Sequence, residues 1–520
     1  MVGMNNNYSY SVADAVRKNA KIFPNQVGII FSDLNKEFTW AEVHERTSRV
    51  ANAFINLGLS KGDHVGVYSN NSHCYSEIFY GCAKAGLVLV TMNPRVELKE
   101  LIYIINNCDV KLMIVAENYW ENFEKMRDKL PKVKNIIGIS FEGNRLKKGM
   151  DYETLLSEAS DVDPEVEIGI DDNICLVNTA GTTGLPKAGM ITHYNFYVQG
   201  LEFNAEFGLK PDDVFAFPWP LHHISLTVWN AYIMRGMKCI ILNFEPRRYV
   251  EVLAREKVTV TWVVPAMLSM MMDLPDIDNY DLSRLRHMTW SGSPMPPSMA
   301  KRCVDKWGNI FSTMLGSTEN AALALFLRSE DLTKEHRLAS VGRPSLAKRV
   351  KVIKDDGVEV TPGTDEVGEM IIQGCFFKGY YNDPEKTDAA IKGKWFHTGD
   401  MMRIDEDGFF YLADRKDFLI KTGGLKVYPL EVENIIHEMS MVKDVGVIGL
   451  EDEKWGEIVT AVIVLAPGEQ LSEKEIVDHC KPKMASFKIP KRFIFLDELP
   501  RDATGKLSKR TLKAKLSGTS

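Results

Sequence analysis

The sequence predicts an α/β protein: a large N-terminal part of layered α/β subdomains, a β-rich subdomain after it, and a small α+β unit at the C-terminal end. Helical and strand periodicities alternate through most of the chain, as they do where helices cover a sheet. From about Arg349 the texture changes to short β runs set off by Gly, Pro or Asp turns. A chain of 520 residues is also too long for one core, so about two or three domains are expected.

In order along the chain, Thr39-Trp40-Ala41-Glu42 has the spacing of a helix capping box. Behind it Val43, Thr47, Val50, Phe54 and Leu57 recur at helical intervals until Gly58 stops the pattern. A strand at Val65–Tyr68, a helix through Ile78 to Ala85 and a strand at Leu87–Val90 follow. The apolar run Ile174–Val177 reads as a buried strand opening into a glycine-rich loop. Further strands are expected at Val214–Phe217, Cys239–Leu242, Val258–Val264, His287–Trp290 and Ile310–Leu315. The β-rich subdomain supplies Val350–Ile353, Glu369–Ile372 and Phe409–Leu412. Past Arg415-Lys416-Asp417 comes a compact α+β unit with strands near Val445–Gly449 and Ile458–Leu465.

Composition excludes several classes of function. Hydrophobic residues make up 45% and charged residues 26%, as in ordinary globular proteins. A net charge of −7 gives no reason to expect a nucleic-acid partner or an anionic membrane surface. The eight cysteines are scattered without a CxxC pair, which favours buried free thiols in a reducing compartment. No secretory leader, membrane span or peroxisomal address is visible, so a cytoplasmic protein without a membrane span is expected. The oligomeric state stays open, with a homodimer one possibility.

The chemistry centres on Asn178-Thr179-Ala180-Gly181-Thr182-Thr183-Gly184-Leu185-Pro186-Lys187-Ala188-Gly189. Glycines let the backbone approach a ligand and turn its amides inward, and the threonine hydroxyls and Lys187 add donors to phosphate oxygens. It is not a Walker A loop, because Pro186 precedes the lysine and Ala188 follows it. The bland alternative is an ordinary Gly/Thr loop. The segment resembles the phosphate loop of the adenylate-forming enzymes: acyl- and aryl-CoA synthetases, luciferases and peptide-synthetase adenylation domains. The resemblance covers nearly the whole chain. It departs at Ala180, where Ser is common, and at Ala188, where Gly is common.

Further motifs appear in that family's order. Met314-Leu315-Gly316-Ser317-Thr318-Glu319 follows a strand and ends in a carboxylate, a hard oxygen ligand suited to Mg2+. The resemblance implies that Glu319 and Thr183 hold the metal, and that Leu315, Gly316, Ser317 and Thr318 line the nucleotide with Ser293 and Pro294. It implies that Asp400 and Arg415 take the ribose. Lys506, in Thr504-Gly505-Lys506, would neutralise charge at the transition state. Thr179, Gly181, Thr182, Thr183, Gly184 and Lys187 would bind phosphates, with Lys187 and Thr183 also catalytic. Against these roles stand ordinary ones: a solvated glutamate, a turn-forming aspartate, a surface arginine.

Two further implications concern the second half of the reaction. Lys421, with Gly423 and Gly424 behind it, would act in thioester formation beside a pantetheine tunnel. Asp417 would be the hinge between residues 1–416, with the β-rich subdomain at about 345–416, and a mobile lid of 417–520. His223 resembles a histidine beside the acyl channel and is expected there as a gate. Gly316 lacks the tryptophan of acetate-using relatives, so an open acyl pocket lined by Trp290 and His223 is expected. The implied activity is an ATP- and coenzyme A-dependent ligase acting on a medium-size aliphatic, alicyclic or aromatic acid, run forward or in reverse. A luciferase-like oxygenase, a carrier-protein-loading enzyme and an AMP-sensing protein are the competing readings.

Overall fold

The computed structural model describes residues 10–141, 149–179, 185–502 and 505–517. Four sheets organise them. The first has seven strands, in the order Met150–Asp151, Asn135–Ile139, Val110–Ala116, His64–Tyr68, Val88–Thr91, Asn173–Thr179 and Lys187–Thr192. Its pairs are parallel except the last, which is antiparallel. The inner strands are buried end to end because helices cover both faces, which is why they read as continuous apolar runs.

The second sheet has nine strands, with Val214–Phe217 flanked by Val260–Val263 and Lys238–Ile241. One of its edges comes from the start of the chain: Val27–Phe31 pairs in parallel with Lys238–Ile241, and Lys36–Thr39 folds back on it. That pairing joins distant segments and has no local signal in the sequence. The expected capping box is present. Thr39 Oγ1 accepts from the Glu42 amide, the Glu42 carboxylate accepts from the Thr39 amide, and the helix runs Trp40–Asn56. The helix His73–Ala85 ends where Gly86 turns left-handed at φ 67°.

A five-stranded antiparallel sheet then forms from Lys348–Ile353, Gly368–Gly374, Ile391–Lys392, Trp395–Ile404 and Phe410–Arg415. The chain passes through a short turn of helix at Lys416–Phe418 into a second five-stranded sheet. Its long strands are Val442–Asp452 and Gly456–Leu465. All eight cysteines are buried and free, as the scattered spacing predicts. Among the described residues no helix is long and apolar enough to cross a membrane.

Candidate active site

The phosphate-loop segment spans the end of a hairpin rather than a simple strand-to-helix turn. Asn173–Thr179 and Lys187–Thr192 are antiparallel, with Thr179 opposite Lys187 and Asn178 opposite Ala188. Lys187, expected in the loop, therefore opens a strand, and its ammonium lies 5.1 Å from the centre of the Tyr380 ring. Ala188 is buried against the core behind the sheet. Gly181, Thr182, Thr183 and Gly184, with Ala180, lie outside the described residues. The segment Lys378–Tyr381 adds to the hairpin's free edge, through Lys378 N–H to Met190 O, Met190 N–H to Gly379 O and Tyr381 N–H to Ala188 O. That edge pairing carries Tyr380 beside Lys187.

Glu319 comes off the strand Phe311–Leu315 and meets this edge. The Tyr380 hydroxyl donates to Glu319 Oε1 at 3.0 Å, and Glu319 O accepts the Phe377 amide at 2.8 Å. Thr318 packs beside Gly189, where a Cβ would fall 3.0 Å from Thr318 Cγ2. Ser317 N–H donates to Asn320 Oδ1 at 2.8 Å and closes the loop. Leu315 pairs with Leu325 and packs on the apolar cluster behind it.

Gly316 gives no ground for the expected open acyl pocket. It is exposed, but a Cβ there would lie 1.4 Å from the Ala322 carbonyl oxygen. Backbone fills the direction a side chain would take, so the missing tryptophan says nothing about free space. Trp290 is a correction. It is 1% exposed, 5.2 Å from Phe311, and buried with Met288 on the same side of its strand. The two-residue period of a strand sends both side chains into the core. Trp290 therefore lines no pocket.

Asp400 and Arg415 meet across one strand pair. Asp400 sits opposite Arg415, with Arg415 Nε 3.3 Å from Asp400 Oδ1. The Asp400 amide donates to Thr398 Oγ1, fixing the turn in which Gly399 adopts φ 73°. Burial pushes the Asp400 carboxyl up and Arg415 opposes it, while Asp400 is the main cause holding Arg415 protonated. Lys506 lies in the same field. Desolvation lowers its pKa, Asp502 opposes this, and Arg415, Asp400 and Glu319 act on it in turn. Its backbone is held by Asp502 N–H to Lys506 O at 2.8 Å and Lys506 N–H to Asp502 Oδ1 at 3.1 Å.

His223 is half-buried. Burial, then the Lys506 charge, pushes its imidazole down to about 4, so it is neutral at ordinary pH and suits a gate better than a base. The His222 ring is 4.4 Å away. Ser293 and Pro294 follow Ser291, whose hydroxyl accepts from Trp262 Nε1 at 2.7 Å. Trp262 in turn stacks on Trp219 at 4.3 Å.

Lys421 stands on a different structure. It pairs with Lys426 across a hairpin whose two-residue turn is Gly423-Gly424, both at positive φ (58° and 81°), as such turns require. The hairpin's neighbours are Glu457, which accepts the Lys421 amide at 2.9 Å, and Asp355, paired with Lys426 at 2.8 Å. Asp417 lies in the turn between the two five-stranded sheets. Sequence reasoning missed Tyr380 and Trp455. The run Gly379-Tyr380-Tyr381-Asn382 was a turn signal that could have found the first. Trp455 is 39% exposed, backs onto Gly423, and has Lys491 Nζ 3.6 Å and Lys454 Nζ 5.1 Å from a ring centre.

The chain is similar to known proteins along nearly its whole length. Residues 16–381 match the AMP-binding enzyme family and residues 431–506 the AMP-binding enzyme C-terminal domain. The long-chain-fatty-acid–CoA ligase FadD13 of Mycobacterium tuberculosis (strain ATCC 25618 / H37Rv) is 32% identical over 509 residues, covering 97% of this chain and 98% of that protein. A feruloyl-CoA synthase from Streptomyces sp is 31% identical over 475 residues, covering 91% and 92%. The crystal structure of the anthranilate CoA ligase AuaEII with anthranoyl-AMP superposes with a TM-score of 0.90 at 25% identity, covering 98% of this chain and 97% of that one.

Proposed function

Because this chain belongs to the AMP-binding enzyme family, we propose how its residues divide the work of an AMP-forming acyl-CoA ligase. The enzyme is an acid–thiol ligase that uses ATP and coenzyme A. The observation that carries the assignment of roles is geometric: Arg415 faces Asp400 at 3.3 Å on one strand pair, and Tyr380 ties Glu319 at 3.0 Å to the strand edge where Lys187 stands.

Asp400 accepts the ribose hydroxyls and Arg415 holds the same sugar. Thr179, Lys187 and, between them in sequence, Gly181, Thr182, Thr183 and Gly184 hold the phosphates. The substrate carboxylate attacks the α-phosphorus in line, the bond to the β-phosphate bridging oxygen breaks, and diphosphate leaves with acyl-AMP retained. Lys506 neutralises the charge shared by the carboxylate and the α-phosphate, a purely electrostatic task. Glu319 offers a hard carboxylate oxygen oriented by Tyr380, a donor that suits Mg2+. When bound, that ion supplies positive charge to the phosphate oxygens.

In the second step the thiolate of coenzyme A attacks the acyl carbonyl and AMP leaves. The C-terminal unit turns about Asp417 so that Lys421 and the Gly423–Gly424 hairpin replace Lys506 at the reacting carbon. An exposed Trp455 between two lysines favours coenzyme A over a carrier protein, because an adenine can stack on the indole while Lys491 and Lys454 meet phosphates. The acid is larger than acetate, a reading supported by relatives named for fatty and aromatic acids and by the uncharged His223 beside Lys506. A diphosphate-exchange screen over acetate, butyrate, octanoate, cyclohexanecarboxylate, benzoate and ferulate tests it. Exchange with the larger acids above acetate is expected. Exchange with acetate alone, or with none, overturns the reading.

A further inference from the structure

The strand Phe410–Arg415 presents alternate side chains to opposite sides. Arg415 turns to Asp400 and the nucleotide side, while its neighbour Asp414 turns to the C-terminal unit. There Asp414 Oδ2 lies 2.7 Å from Lys509 Nζ, and the same ammonium is 2.9 Å from Glu433 Oε1. All three residues are buried, at 6%, 9% and 8% exposure in the order Asp414, Lys509, Glu433. Asp414 also accepts the Leu430 amide at 3.1 Å, from the first turn of the helix Pro429–Ile436, and Glu433 accepts the Val447 amide at 2.7 Å.

We infer that Lys509 is a positioning residue for adenylation: its bond to Asp414 is a latch that holds Lys506, three residues earlier, against the nucleotide side of the cleft. This rests on the proposed turn about Asp417. Asp414 precedes that hinge, whereas Glu433 and Lys509 follow it and move together. Turning the C-terminal unit therefore parts Lys509 from Asp414 while leaving it paired with Glu433. No lysine is stranded without a counter-charge, and Asp414 passes to water at the end of its strand. A buried ion pair that can open without orphaning its cation suits a switch between two packed states.

The test uses the full-length enzyme with octanoate and synthetic octanoyl-adenylate, or the best acid of the exchange screen and its adenylate. Three readouts are taken: diphosphate exchange, coenzyme A-dependent consumption of supplied adenylate, and thermal unfolding. Lys509→Met should lower exchange by about tenfold or more, the scale of a coupling between sites. Consumption of supplied adenylate should be unchanged or faster, and Lys509→Arg should restore exchange. Asp414→Asn keeps the acceptor for Leu430 and the Lys509–Glu433 pair, and should show the same split. It decides the matter if Lys509→Met does not fold. An equal fall in both half-reactions, or no fall in exchange, overturns the latch. Lys506→Ala run alongside separates the two ideas. If it abolishes exchange while the latch variants do not, only the latch fails; if the wild type exchanges with no acid, the proposed function itself fails.

Discussion

The Tyr380 hydroxyl donates to Glu319 Oε1 across 3.0 Å, joining two segments that lie far apart in the chain. Burial and then the Glu319 charge push the phenol up, so it stays a protonated donor throughout the working pH range. Tyr380→Phe removes that bond and keeps the ring beside Lys187. A hydrogen bond to a charged group is worth about 1.5 kcal/mol at the low end, which is about tenfold in rate. Diphosphate exchange measured against Mg2+ concentration should fall by about that factor and need more Mg2+. An unchanged Mg2+ profile would separate Tyr380 from Glu319's function.

Lys506 and Lys421 belong to different half-reactions on the proposed reading. Lys506→Ala should cripple acyl-AMP formation yet still convert supplied acyl-AMP to the thioester, and Lys421→Ala should do the reverse. Single-turnover measurement of each step checks this, and equal losses in both variants would rule out two separate catalytic faces.

Gly316 is closed by backbone in the direction of a side chain. Gly316→Trp should therefore lose activity on every acid of the panel instead of becoming an acetate enzyme. Gly316→Ala should already lower activity and the unfolding temperature, since the first added carbon meets the Ala322 carbonyl. Retained acetate activity in the tryptophan variant would contradict this.

Two buried histidines set an acid limit on stability. His193 Nδ1 accepts the Val12 amide at 3.0 Å, and His287 Nε2 sits 2.9 Å from the hydroxyls of Thr289 and Ser312. Burial pushes both imidazoles down to about 4. Unfolded, they titrate near 6.5, so between these values the unfolded chain binds more protons. Stability present in full above about 6.5 is lost as pH falls through 4, by up to about 3 kcal/mol for each group. Thermal unfolding at pH 6.5 and 4.5 should show the fall, and His287→Asn should make it shallower. An equal slope in that variant would count against His287.

Much of this was legible in the residues. The capping box at Thr39, the left-handed Gly86 and the apolar strands are local signals, and local hydrogen bonds produced them. The motifs ending in Glu319, Asp400 and Lys506 each combine a turn with one charged residue, which is what singles them out in the sequence. What failed depended on distant partners. The hairpin that puts Lys187 on a strand needs the Asn173–Thr179 pairing, and the blocked Gly316 needs the Ala322 carbonyl. Trp290 looked like a pocket wall because a strand end beside a loop can face either way, and only the sheet's packing chose the core.

The pairing of Val27–Phe31 with Lys238–Ile241 sets the order in which this chain can be assembled on a ribosome. Its first hairpin emerges early, and its parallel neighbour is made about 200 residues later, on the order of ten to forty seconds at ordinary rates of synthesis. Throughout that interval the Ile29–Phe31 edge has no strand to pair with on that side. The nine-stranded sheet therefore closes late, and until then the nascent N-terminal segment keeps an unpaired apolar strand edge.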